Sequence, residues 1–456
     1  MFRSHIFRLA KPLRSFPRVH YSTASNQPQI PKVLPEVRAK SLSQSQLWVN
    51  RMTSRLDQLR STNAKITGDP SQSVISGEKR MNDSFVQAFL PFRSDPLLKE
   101  EYVNSHKRIR VGMVLEDLDC LAATAAYMHC AGAERQLTIV TASVDRMEMN
   151  SEIPLDRDIS VFAYVTYVGK SSMEVTVQME TVLPDSGVTP EQVDGTKYRR
   201  SKLPNEMLSG DLILSAKFIM VARDSETGKS APVHQLKLET DQERSLFRQG
   251  AEHKARKQVE NQTSLSLRPP SVEEMTLVHN LYKEYSAYKT STGIDDTSIN
   301  APPVEKPANV VWMKDTNLQQ INLTFPQDRN LHNKVFGGFL MRRAYELSIV
   351  TGMTFCKKAL QFKALDDISF RKPVEIGAIL DLHSQVVYTR GLEIVVKVVA
   401  HIVDPASEGR VLSNEFWFTF VVAEEVRGKD AIEYRVMPRS YNDCMLYLEG
   451  KRRLEN

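Results

Sequence analysis

Residues 330–345 read N-L-H-N-K-V-F-G-G-F-L-M-R-R-A-Y, and residues 104–119 read N-S-H-K-R-I-R-V-G-M-V-L-E-D-L-D. Asn104, His106 and Gly112 of the earlier stretch match Asn330, His332 and Gly338 of the later one, each pair 226 positions apart. Both stretches lead into an apolar segment of helical spacing, followed by several β-rich segments. Such a duplication predicts two like domains packed on one another, with sites formed where they meet. Each copy can then be inspected for the polar residue it kept.

Working outward, the first predicted helix covers 112–131, with Leu115, Leu118, Ala122, Ala125, Ala126 and His129 at intervals of three and four. Strands are expected at 137–144, 159–168, 173–183 and 212–221, punctuated by turns at Asp185-Ser186-Gly187 and Ser225-Glu226-Thr227-Gly228. The second copy repeats the plan, with a strand around Leu323, a helix over 338–356, and strands at 360–370, 378–387, 393–403 and 411–422. One long helix with a run of antiparallel strands is an α+β layer in which a sheet wraps the helix.

The domain boundaries follow as 81–224 and 307–428, joined by a charged helical linker over 225–306 and followed by a C-terminal extension, 429–456. Within the linker, 244–260 is dense in charge of both signs and reads as a solvated helix. Ser271-x-x-Glu274 opens a second one as a capping box. The polar extension 31–80 has helical apolar spacing only at 44–59.

A chain of 456 residues, 41% hydrophobic and 25% charged, has the length of two domains plus extensions. It holds no run of 18 apolar residues, so no stable membrane insertion is expected. The net charge of +5 comes from the start, where residues 1–35 carry Arg3, Arg8, Lys11, Arg14, Arg18 and Lys32 and no acid. A basic, acid-free, amphipathic start predicts a mitochondrial presequence over about 1–30, with cleavage near Tyr21 and Ser22, and hence a matrix location. Without the basic residues up to Arg18 the chain is neutral, which removes the electrostatic argument for nucleic acid as a partner. Cys120, Cys130, Cys356 and Cys444 show no CxxC spacing, so neither a zinc site nor a disulfide framework is expected.

H-N-K-V-F-G-G-F-L-M followed by S-F-R-K-P-V-E-I-G resembles the signature of hotdog-fold acyl-CoA thioesterases. R-V-G-M-V-L-E-D-L-D followed by Y-V-G-K-S-S-M-E-V resembles the same module, and two copies behind a presequence resemble the mitochondrial members. The resemblance spans roughly residues 80–430 and implies a tandem, double hotdog. It also implies hydrolysis of acyl-CoA without a cofactor, and assembly into trimers of double hotdogs.

In that family each composite site pairs an Asn before one helix with an acid on the helix of the other module. The acid position falls on Asp119 in the first copy and on Tyr345 in the second, with Glu346 one residue on. The resemblance therefore implies an active site at Asn330 and Asp119, and a weakened or binding-only one at Asn104 with Glu346. Asp119 is expected to serve as general base or as nucleophile, and Asn330 to orient the water or the carbonyl. Backbone N–H groups at the helix starts, Gly112 and Gly338, are the expected oxyanion donors.

For the CoA phosphates the resemblance points to Arg371 and Lys372, to Thr389 and Arg390, and in the first copy to Lys170-Ser171-Ser172. The acyl chain is expected near Leu115, Ala122 and Met341, and both His106 and His332 are read as loop or packing residues. T-G-K-S at 227–230 imitates a phosphate-binding loop, but Arg223 stands where its first glycine belongs. No G-x-S-x-G is present, against a serine hydrolase. Two other readings stay open: a hydratase using His332 with Asp119, disfavoured by the missing H-F-P-type loop, and a non-catalytic acyl-CoA sensor.

Overall fold

The apolar segment after each Asn forms a long helix, and antiparallel strands wrap both. The computed structural model describes residues 77–133, 137–182, 210–262, 269–290, 305–328, 330, 334–404, 409–423 and 433–455, all within the unit Ser43–Asn456. The expected presequence, the segment 44–59, the turn at Asp185-Ser186-Gly187 and His332 lie outside the described residues.

The first half runs β1 (Glu78–Arg80), β2 (Val86–Leu90), α1 (Pro96–Tyr102), α2 (Val111–His129), β3 (Leu137–Val144), β4 (Met147–Met149), β5 (Ile159–Val168), β6 (Ser172–Thr181), β7 (Leu212–Asp224), β8 (Gln235–Lys237) and α3 (Asp241–Gln262). After α4 (Val272–Thr290), the second half runs β9 (Val310–Trp312), β10 (Leu318–Leu323), α5 (Gly337–Cys356), β11 (Leu360–Leu365), β12 (Ile368–Ser369) and β13 (Ile379–Arg390). It ends with β14 (Glu393–Val403), β15 (Arg410–Val422), β16 (Arg435–Met437) and α6 (Tyr441–Glu455).

Twelve of the strands make one sheet, in the order β10-β13-β14-β15-β11-β4-β7-β6-β5-β2, with β3 pairing both β7 and β12. The halves join where β11 meets β4 and β12 meets β3, through Leu365 opposite Met147 and Ile368 opposite Val144. α2 and α5 lie side by side on this sheet. Each is therefore covered by strands on one face and by the other helix on another, which is why α2 is buried almost all round. β5 is buried on both faces, whereas the edge strand β10 alternates and leaves Ile321 62% exposed.

The segment expected as a solvated linker helix is docked. Phe247 of α3 lies 4.9 Å from the Tyr167 ring, and Gly250 packs on the same tyrosine. Its counterpart is α6, at the chain's C-terminal end, whose Gly450 packs on Tyr388. Both helices begin with the same capping box. Glu243 accepts from the Thr240 N–H while Thr240 Oγ1 accepts from the Glu243 N–H, and Ser440 and Asp443 do likewise. Both follow a short strand in parallel pairing, β8 on β1 and β16 on β9. The repeat thus continues past 224 and past 428. Its spacing falls from 226 to 200 there because residues 183–209 have a much shorter counterpart between β14 and β15. α4 belongs to the second half, with Glu284 on Arg435 at 2.8 Å and Tyr285 edge-on to Trp312.

α2 and α5 cross at their repeated glycines. A Cβ on Gly338 would sit 2.9 Å from Glu116 Cα, and one on Gly112 would sit 3.2 Å from Arg342 Cγ. Glu116 and Arg342 occupy equivalent positions of the two copies and pair at 2.8 Å. A symmetric pair of identical chains would set like charges against each other here; the duplicated chain sets opposite ones. Replacing Arg342 by Met leaves the buried Glu116 carboxylate without its partner and is expected to cost roughly 2–3 kcal/mol in urea unfolding, less than a fully buried pair because Arg342 touches solvent. Adding Glu116→Leu should recover most of that loss.

Candidate active site

The loop before each long helix is closed in the same way. Asn330 Oδ1 accepts from the Lys334 N–H at 3.1 Å, and Asn104 Oδ1 accepts from the Arg108 N–H at 3.0 Å. Their backbones close the other side, with Asn330 N donating to Lys334 O and Asn104 N to Arg108 O. The repeated Asn is therefore a loop former in both copies. His106 is exposed, and its N–H also donates to Asn104 Oδ1.

The acidic run 116–119 has three different fates. Glu116 pairs with Arg342, Asp117 accepts from the Tyr102 hydroxyl, and Asp119 turns to a cavity of about 600 Å³ between the halves. Asn330, Gly337, Phe370, Arg371 and Lys372 line this cavity with it, so the structure brings Asp119 and Asn330 together. Asp119 is 3% exposed. Its Oδ1 accepts from Thr141 Oγ1 at 2.8 Å, and its Oδ2 accepts from the Gly338 N–H at 2.7 Å. Burial pushes this carboxyl up to about 6; the Thr141 and Gly338 hydrogen bonds pull it back, and Glu116 adds a further push.

Gly338 was expected to offer its N–H to substrate, but that N–H is engaged on Asp119. Gly337, the first residue of α5, has no intrahelical acceptor by position and lines the cavity. A Cβ there would lie 3.2 Å from Asp119 Oδ2 and 3.0 Å from Phe370, so a side chain would crowd the carboxylate.

At the pseudo-equivalent position the acid is replaced. Tyr345 stands where Asp119 stands, with its ring 5.7–5.9 Å from those of Phe362, Phe418 and Phe420, and burial raises its phenol. Val111 replaces Gly337 at the helix start. Glu346 is held by Arg110, Arg342 and Arg343 at 3.1–3.5 Å, so it is ion-paired rather than poised as a base.

Other expected positions lie outside this cavity's lining. Thr389 and Arg390 are not in the cavity lining: Thr389 Oγ1 accepts from the Val436 N–H, and Arg390 binds Glu393 across its hairpin. The Lys170 and Ser171 carbonyls accept from Val233 and Ala222, and Ser172 lines a separate cavity of about 190 Å³. Leu115, Ala122 and Met341 are wholly buried in the core. The cavity runs instead along Cys120, Ala123, Thr124 and Tyr127 of α2 with Leu340 of α5. That stripe is rotated about 100° per residue from the core stripe and is shared with Asp119. Ala123 and Thr124, small residues three and four beyond Cys120, were its signal; Thr141 in an ordinary strand had none.

In the smaller cavity, His253 lies 3.1 Å from Glu174 and 3.3 Å from Asp145, a group able to face a metal ion. Lys217 and Lys257 already pair with the same two carboxylates, so the cluster is charge-balanced as it stands.

Because the Asp119 carboxyl rises from 3.8 to about 6, the folded state holds its proton more tightly than the unfolded chain. Stability from this group is complete below pH 4 and is lost as pH climbs through 6, by roughly 3 kcal/mol. Asp119→Asn is therefore expected to be more stable than the parent at pH 7.5 in urea unfolding, by up to that amount. The gain should vanish below pH 4.

No protein-family model matches the chain. Among curated proteins it is 37% identical over 378 residues to human mitochondrial acyl-coenzyme A thioesterase 9, covering 82% of this chain and 77% of that one. To the bovine mitochondrial acyl-coenzyme A thioesterase 9 it is 36% identical over 382 residues, covering 83% and 79%. A solved acyl-CoA hydrolase of Staphylococcus aureus is 27% identical, covering 32% of this chain and 88% of that one, with a TM-score of 0.30. At that identity over four-fifths of its length, the chain belongs to the acyl-coenzyme A thioesterase family.

Proposed function

We propose that the cavity between the halves hydrolyses acyl-CoA thioesters to free acid and CoA, with Asp119 and Asn330 as the reacting pair. The observation that carries this is a buried carboxylate, raised to about 6, facing the same cavity as Asn330. At pH 7–8 such a group is ionised yet basic enough to take a proton from water. The water adds to the thioester carbon, and the Gly337 N–H at the positive end of α5 receives the developing oxyanion. Asn330, fixed by its loop, orients water or carbonyl through its amide. Collapse of the intermediate breaks the C–S bond, and the thiolate leaves without needing a strong acid.

In this reading the chain is a tandem double hotdog, each unit continued by its docked strand and helix, β8–α3 and β16–α6. The family's trimer of such chains is the assembly we propose. The basic, acid-free residues 1–35 and the mitochondrial relatives support a mitochondrial location, and we place the activity in the matrix.

The test is free thiol released from acyl-CoAs of graded length by protein lacking residues 1–30. Asp119→Asn should lower kcat about 10²–10⁴-fold, with Glu346→Gln within twofold of the parent. The parent kcat/KM should fall tenfold per pH unit below about 6 as the base is protonated. Turnover that survives Asp119→Asn but not Glu346→Gln would move the chemistry to the other site. Tight acyl-CoA binding with no turnover in any protein would make the chain a sensor. A single turnover in ¹⁸O water tests for the nucleophile, since water opening a mixed anhydride at the Asp119 carbonyl leaves the label on Asp119 and none in the first product.

A further inference from the structure

Four cations line the cavity: Arg223, Lys334, Arg371 and Lys372. Two already have a carboxylate partner. Lys334 pairs with Glu375, and Arg371 shares Glu415, at 3.1 Å, with Lys397. Arg223 and Lys372 have no ion pair and no side-chain hydrogen bond among the described residues. They come from opposite halves, one from the end of β7 and one from the segment after β12.

β3 runs between them. Arg223 is opposite Thr138 on one edge of β3, while on the other edge the Phe370 N–H donates to Ala142 O and carries the chain on to Lys372. Two inter-strand spacings across β3, with an offset along it, separate the two backbones, roughly 10–15 Å, within reach of two long side chains for one multiply charged group. Both backbones are held: Arg223 also bridges to Ser230, and the Lys372 carbonyl accepts from Ser413 Oγ.

The turn that imitates a phosphate-binding loop gives the same answer from the other side. Asp224 Oδ1 accepts from the N–H groups of Glu226 and Thr227 and from the Thr227 hydroxyl. The loop's amides are thus filled by its own carboxylate, and the positive charge this corner offers the cavity is the Arg223 guanidinium. The residue that spoils the motif in the sequence is the one left to bind an anion.

We infer that Arg223 and Lys372 clamp the phosphates of the thiol carrier, and so select CoA thioesters over thioesters of short uncharged thiols. This rests on the thioesterase reading but adds a residue, Arg223, and a basis for carrier selection. Arg371 and Lys334 are then structural cations.

The experiment measures kcat/KM for one acyl group carried on CoA and on N-acetylcysteamine, in the parent, Arg223→Gln, Lys372→Gln and the double variant. CoA binding to each is measured by calorimetry. Each single change should lower the CoA to N-acetylcysteamine activity ratio about tenfold, and the pair about a hundredfold. CoA affinity should weaken in parallel, and added salt should reduce the parent's ratio more than the double variant's. An unaltered ratio, or equal losses on both carriers, overturns the inference. If the parent hydrolyses neither thioester, the thioesterase reading fails by itself; weakened CoA binding in the variants would still uphold the clamp.

Discussion

The close crossing of α2 and α5 is the constraint on which the remainder depends. With a glycine from each helix at the contact, backbone comes within van der Waals range of backbone, and Gly338 can direct its N–H at Asp119. The same approach brings Glu116 onto Arg342 and opens the cavity along the next stripe of α2. A larger side chain at Gly338 would push the helices apart and separate the carboxylate from the amide that holds it.

Duplication within one chain lets two equivalent positions carry different residues. Opposite charges replace like charges at 116 and 342, an acid faces a tyrosine at 119 and 345, and glycine faces valine at 337 and 111. One of the two composite sites keeps a buried carboxylate, which opposes folding at neutral pH because ionising it in a dry pocket is costly. Its counterpart is filled with aromatic rings, which do the opposite. The chain thus places a buried carboxylate at one position and packed rings at the other, so its two halves are alike in arrangement and unlike in what they bury there.

Local pattern was enough for most elements. The helices expected at 112–131 and 338–356 are Val111–His129 and Gly337–Cys356, and the strands expected at 137–144, 159–168 and 393–403 have those limits in the structure. Their apolar periods are strong and their ends carry turn residues. The stretch 360–370 is two strands, β11 and β12, because it passes the seam, where its partners change from β15 and β4 to β3. α3 was legible as a helix, but α6 lay unread in the C-terminal extension, and the two were not seen as a repeated pair, since the insertion at 183–209 breaks the spacing that revealed the repeat.

The sequence by itself determined the repeat, the two long helices, the strand runs, and the contrast of Asp119 in one copy with Tyr345, followed by Glu346, in the other. Tertiary structure decided that the Gly338 N–H is engaged by Asp119, that Gly337 is the donor left over, and that the cavity follows Cys120 and Ala123 rather than Leu115 and Ala122. It also decided that Arg371 meets a carboxylate while Arg223, rejected as part of a motif, faces the cavity without one. Each of these depends on how near two helices approach and on which strand edges meet. Those distances relate residues as much as 226 positions apart, and periodicity along the chain carries no record of them.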